Sequence, residues 1–176
     1  MSRQSGLAAP AIRRLGPADA AALLALRREA LETEPVAFSA TPADDRHRTV
    51  EAVRESLEPG RRAAVLGAFD SAGLAGMAGV AQGQGVKRAH TALVWGMYVA
   101  PRVRGRGVGS RLLQAVIAQA REWPEVEQVQ LAVTESAARA RRLYESAGFR
   151  EWGREPRALR WDGRHHDVVH LVLELR

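Results

Sequence analysis

The segment that most constrains this chain runs Trp95-Gly96-Met97-Tyr98-Val99-Ala100-Pro101-Arg102-Val103-Arg104-Gly105-Arg106-Gly107-Val108-Gly109-Ser110. Residues Thr91 to Val99 read as a strand that Pro101 closes. Glycines follow at 105, 107 and 109, and then Leu112, Leu113, Val116, Ile117 and Ala120 mark the apolar stripe of a helix that Pro124 ends. The first turn of a helix carries unpaired N–H groups and the positive end of the dipole. Glycines let that backbone come close to an anion, with no Cβ in the way. Arg104 and Arg106 add charge and forked donors. Together these features predict a pyrophosphate cradle rather than a bare tight turn. Two common phosphate loops are excluded on particular residues. The dinucleotide fingerprint fails because Ser110 stands where its last glycine belongs, and Val133-Thr134 stands near where its acid belongs. A Walker loop needs a lysine, and the only lysine is Lys87.

The 176 residues suit one domain, expected over residues 11–176 behind a loose tail at 1–10. Ala11 to Leu15 reads as a short strand. Pro17 opens a helix with Leu23, Leu26 and Ala30 on one face, and Glu34-Pro35 ends it. Thr41-Pro42-Ala43-Asp44 resembles the capped start of a second helix running to about Glu58, with Pro59-Gly60 as its stop. Ala63–Phe69 and Leu74–Gln82 are expected strands around a turn at Asp70-Ser71-Ala72-Gly73. Gln128–Thr134 is a strand, Ser136–Ala147 a helix capped by Gly148, and Phe149–Gly153 and Ala158–Trp161 two late strands. Asp162-Gly163 turns into a last strand, about His166 to Leu175. This order indicates one mixed sheet with helices on its faces.

Charge and composition narrow the function classes. The net charge is +6, split as +2 over residues 1–99 and +4 over 100–176. Arg102, Arg104, Arg106 and Arg111 stand together with no acid among them, which suits a phosphate-bearing partner. There are no cysteines, so disulfide, thiol-nucleophile and Cys-based metal chemistry are excluded. His166 and His170 share a strand face while His165 points away, and without a third ligand no metal is expected. The tryptophans show no alternation with basic residues, so no nucleic-acid module is expected. No apolar run is long enough for a membrane helix. The N-terminus does not read as a signal peptide, so the expected location is the cytoplasm.

Arg104-x-x-Gly107-x-Gly109 resembles the (Arg/Gln)-x-x-Gly-x-(Gly/Ala) motif of the GCN5-related N-acetyltransferases. Met97 to Pro101 is similar to the family's preceding strand. Leu131-Ala132-Val133 with Ala140-Arg141-Arg142-Leu143-Tyr144-Glu145-Ser146-Ala147-Gly148-Phe149 resembles its second conserved block. The resemblance spans roughly residues 11–175. It implies an α+β fold with a central mixed, mostly antiparallel sheet of about seven strands flanked by about four helices. It also implies acetyl-CoA as cofactor, bound by Met97, Tyr98 and Val99 along the pantetheine arm and by Arg104, Gly105, Arg106, Gly107, Val108, Gly109 and Ser110 around the pyrophosphate. The position seven before the tyrosine, often Asn in the family, is Ala137 here, which removes one side-chain contact to the cofactor.

The implied reaction is N-acetyl transfer to a primary amine (a small molecule, an amino acid or a peptide N-terminus) through a tetrahedral intermediate. An amide of Met97 or Val99 is the expected oxyanion donor. Tyr144 occupies the general-acid position. Glu32, Glu34, His166 and Asp167 all remain candidates for the base. A non-catalytic acyl-CoA sensor is the alternative. The chain is expected to be a monomer or a homodimer, with Val169, Leu171 and Leu173 suited to a shared sheet edge.

Overall fold

The computed structural model describes residues 9–59 and 62–176. Most of the expected tail and the Gly60 stop lie outside the described residues. Pro10, placed in that tail, is fully buried. Seven strands form one sheet in the order β1-β2-β3-β4-β5-β7-β6. They are β1 (Ala11–Arg14), β2 (Ala63–Asp70), β3 (Gly73–Gln82), β4 (Thr91–Val99), β5 (Gln128–Thr134), β6 (Arg150–Trp161) and β7 (Arg164–Glu174). Four α-helices flank it: α1 (Ala20–Thr33), α2 (Val50–Ser56), α3 (Val108–Arg121) and α4 (Ala138–Ser146). All strand pairs are antiparallel except β4 with β5. The mixed sheet and helix count match the expected fold.

Side-chain alternation in the strands sorts apolar groups onto two faces. One face packs Val80, Val94, Val129 and Leu171 against Leu112, Leu113 and Val116 of α3 and against Tyr144 of α4. The other packs Val65, Met77 and Tyr98 against Leu23, Leu26 and Ala30 of α1 and Val53 of α2. Leu112 is fully buried, and burying a leucine is worth roughly 1.5–3 kcal/mol. Val169 and Leu171 are also fully buried, because β7 lies between β5 and β6. They belong to the core, which corrects their assignment to a shared edge.

Two features of β4 position the site. It pairs with β5 only over Thr91–Leu93 against Gln128–Gln130, so the two strands part beyond that point. On its other side, Met77 faces Tyr98 and Gly79 faces Trp95, leaving an extra residue in β4. This bulge falls at Gly96, whose φ of 63° is the left-handed region that glycine tolerates best. A parallel pair that splays beside a bulge leaves an opening through the middle of the sheet.

Two expectations at the termini of elements are corrected. The second helix begins at Val50, not Thr41; the Thr49 hydroxyl caps it, accepting the Ala52 N–H at 3.2 Å. Asp44 instead closes a local turn on Thr41, accepting from its N–H at 2.6 Å and its hydroxyl at 2.7 Å. The late strands are one long β6, which shifts register between Glu155 and Leu159. Arg157 sits there at φ 56°, and its N–H donates to Asp167 at 2.8 Å.

The connector between α1 and α2 is pinned by a buried ion pair. Arg27 holds Asp45 with both Nε and a terminal nitrogen, the latter at 2.8 Å. Burial works to raise the Asp45 pKa, but the hydrogen bond and charge of Arg27 help bring it below the ordinary value. Removing one partner strands a buried charge, so Arg27→Met is expected to cost about 3–5 kcal/mol in urea unfolding. His47 next to this pair is pushed below its ordinary 6.5 by burial and by the nearby Arg46 and Arg27. The unfolded chain therefore takes up that proton first, and stability falls as pH drops below about 6.5 until folded His47 protonates. The urea midpoint is expected to be lower at pH about 5.5 than at about 7.5, with His47→Gln reducing the difference.

Candidate active site

Pro101–Val103 forms a 3-10 turn after β4, and Val103 anchors it in the core with 1% exposure. The chain then passes Gly105 at φ 77° and Gly107 at φ 73°. Gly107 caps α3 in the left-handed conformation, a position where other residues are strained. A Cβ built on Gly105 or Gly107 meets nothing within 4 Å, so both positions border open space. That space is a cleft of about 850 Å³ between the start of α3, the splayed half of β4 and α4. The first N–H groups of α3 have no partners within the helix.

Met97, Tyr98, Val99, Arg104, Gly105, Gly107, Val108, Gly109 and Ser110 all line this cleft. Arg106 is not on this wall and is half-buried. The arginine cluster divides into distinct tasks. Arg102 donates to Asp70 at 2.9 Å and to the Leu74 carbonyl at 3.0 Å, which ties down the turn. Arg104 reaches inward, donating to the Val99 carbonyl at 2.8 Å and to Glu34 at 2.9 Å, with its guanidinium 5.5 Å from the Tyr98 ring centre. Tyr98 in turn bonds Glu29 at 2.9 Å and Thr33 at 3.0 Å, so α1 is clasped to β4. Arg139 and Arg142 on α4 add two exposed guanidinium groups to the cleft wall. Neither is among the residues expected from the sequence, although their i, i+3 spacing places both on one helix face.

Tyr144 is buried in the cleft wall, with its hydroxyl 3.6 Å from the Met97 sulfur and its ring edge-on to Phe149. Burial raises its pKa to about 12, so it holds its proton throughout the neutral range. Ala137 lines the same cleft. Among the four candidate bases, only Glu34 reaches the wall. Glu32 is exposed on α1. Asp167 accepts from Arg157 and lies 3.6 Å from Arg154. His166 pairs across from Leu159 in the outer hairpin. His170 contacts Glu155 and Trp152, and His165 contacts Arg157, so the three late histidines do not converge. Among the described residues no helix is long and apolar enough to cross a membrane.

The family model described as the acetyltransferase (GNAT) family matches residues 23–149, which take in the glycine turn, the splayed strand and Tyr144. The chain belongs to the acetyltransferase (GNAT) family. Solved structures resemble this GNAT chain over nearly its full length. An acetyltransferase of the GNAT family from Streptococcus pneumoniae is 25% identical, with a TM-score of 0.81 over 94% of this chain and 99% of that one. Ribosomal-protein-alanine N-acetyltransferase from Brucella melitensis is 27% identical, with a TM-score of 0.76 over 94% and 99%. The protein yncA from Salmonella typhimurium, solved with its cofactor acetyl-CoA, is 25% identical, with a TM-score of 0.78 over 96% and 95%.

Proposed function

We propose that this GNAT chain transfers the acetyl group of acetyl-CoA to a primary amine. The observation that carries the reading is the continuity of one cleft, from the open amide end of α3 to the Tyr144 hydroxyl. The coenzyme supplies an acetyl thioester, whose C–S bond breaks as the amine forms an N–C bond. Val108, Gly109 and Ser110 hold the diphosphate through backbone amides, and Arg139 and Arg142 balance further phosphate charge. Met97, Tyr98 and Val99 carry the pantetheine arm along the edge that β5 leaves unpaired, and an amide of Met97 or Val99 stabilises the developing oxyanion. Tyr144 gives its proton to the leaving sulfur and recovers one from the amine nitrogen through solvent. Glu34 becomes the leading base, directly or through water, because it alone of the candidates borders the cleft.

One sheet spans Ala11 to Glu174, which supports a single catalytic domain, and we propose that it acts as a monomer or homodimer in the cytoplasm. One observation favours a second reading, an acyl-CoA sensor: Ala137 on the cleft wall offers no side-chain hydrogen bond. Thiol release from acetyl-CoA over a panel of amines tests the proposal. Turnover with any primary amine supports transfer; coenzyme binding with no turnover across a broad panel favours the sensor.

A further inference from the structure

The opposite face of the sheet carries a second cavity, of about 780 Å³, walled by α2, the end of β3 and Trp95 of β4. Trp95 lies flat against the sheet; a Cβ on Gly79 would stand 2.3 Å from its indole. His47 stacks on the indole with centroids 6.1 Å apart and planes 17° from parallel. The Arg46 guanidinium stands 5.7 Å from the ring centre. Trp95 and Met97 flank the Gly96 bulge, one packed with the α1 core and the other with the α3 core. Trp95 of this cavity and Met97 of the Tyr144 cleft therefore pack on opposite faces of β4, just beyond the point where it leaves β5.

The charges in this cavity are unequally committed. Arg62 is taken by Glu125 and by Gln82 at 2.9 Å. Arg27, close to Gly96 but not on the cavity wall, is taken by Asp45. Arg46 is exposed, its contact is the indole, and no carboxylate among the described residues pairs with it. A guanidinium held over an aromatic plane is a forked donor already set in place for a carboxylate. The indole edge beside it suits an aliphatic stem, and the volume falls within the roughly 300–1,000 Å³ of small-molecule sites.

We propose that this cavity binds the acceptor and that the acceptor carries a carboxylate, held by Arg46 beside Trp95, as an amino acid does. The proposal rests on the acetyl-transfer reading of the coenzyme cleft. Glu55, also on the wall, makes a cationic amine the competing result.

Thiol release is measured for one amine skeleton bearing a free carboxylate, a primary amide or no such group. The acid is expected to be favoured by about tenfold in kcat/KM, the scale of one charged hydrogen bond. Arg46→Ala should raise its KM by about tenfold, leaving kcat, the amide's KM and coenzyme affinity unchanged, with Arg46→Lys intermediate. Equal rates across the series, an equal loss for all three, or cationic amines leading with Glu55→Gln the more damaging change would overturn it. Binding is also read without turnover, from the Trp95 indole resonance of the free and coenzyme A-loaded protein during titration with the acid. A saturable shift that Arg46→Ala abolishes supports the cavity even where no thiol is released, an outcome that would refute acetyl transfer instead. Coenzyme binding with a silent Trp95 overturns the cavity and leaves the cleft standing.

Discussion

Tyr144→Phe is expected to lower kcat about 100-fold while coenzyme affinity stays within about twofold, because general acids contribute on the order of 10²–10⁴. The substitution removes one oxygen whose contact is the Met97 sulfur, so packing and fold should survive. Burial, which lifts the phenol to about 12, sets the sign of the pH behaviour. A free thiol titrates near 8.5, so transfer from such a phenol would run uphill in water. In the proposed reaction, however, the leaving thiolate forms beside the buried phenol, where desolvation raises its proton affinity as well. The phenol thus stays loaded across the working range, and kcat should show no alkaline decline from Tyr144 below pH about 11. An unchanged kcat in Tyr144→Phe would remove this residue from the chemistry, and a descending limb near pH 9 that the substitution abolishes would contradict the burial argument.

Gly107→Val is expected to weaken coenzyme A binding at least about 100-fold, or about 2.7 kcal/mol. Two effects act together. A β-branched residue at φ 73° is strained, and its methyl groups project into the space bordering the α3 amides. Gly107→Asn separates them, since asparagine tolerates the left-handed region but still places a side chain there. Thermal unfolding should recover in the Asn variant while coenzyme binding stays impaired. Coenzyme binding unchanged in both variants would mean that the diphosphate lies elsewhere.

Elements whose cause is local were legible in the sequence. The apolar runs of β2 and β3, the alternation in β5, the stripe on α3 and the glycines before it each reflect the residues of that segment alone. The misread parts depend on distant partners. The Thr41 turn looked like a helix cap, but the connector that follows is fixed by Arg27 gripping Asp45 from α1. The break in β6 is bridged by Asp167 on the next strand. Arg104, expected beside the phosphates, does line the cleft, and its bond to Glu34, 70 residues earlier, could not be read from its neighbours. For the same reason, only the folded chain shows that, of the four candidates for the base, Glu34 lines the cleft.

In the proposed reaction the coenzyme phosphates rest against the first turn of α3. Amide resonances followed by nuclear magnetic resonance during a coenzyme A titration test it most directly. Saturable shifts concentrated at Gly107, Val108, Gly109 and Ser110, and lost in Gly107→Val, are the expected result. Saturable binding that leaves those four amides unmoved would contradict it.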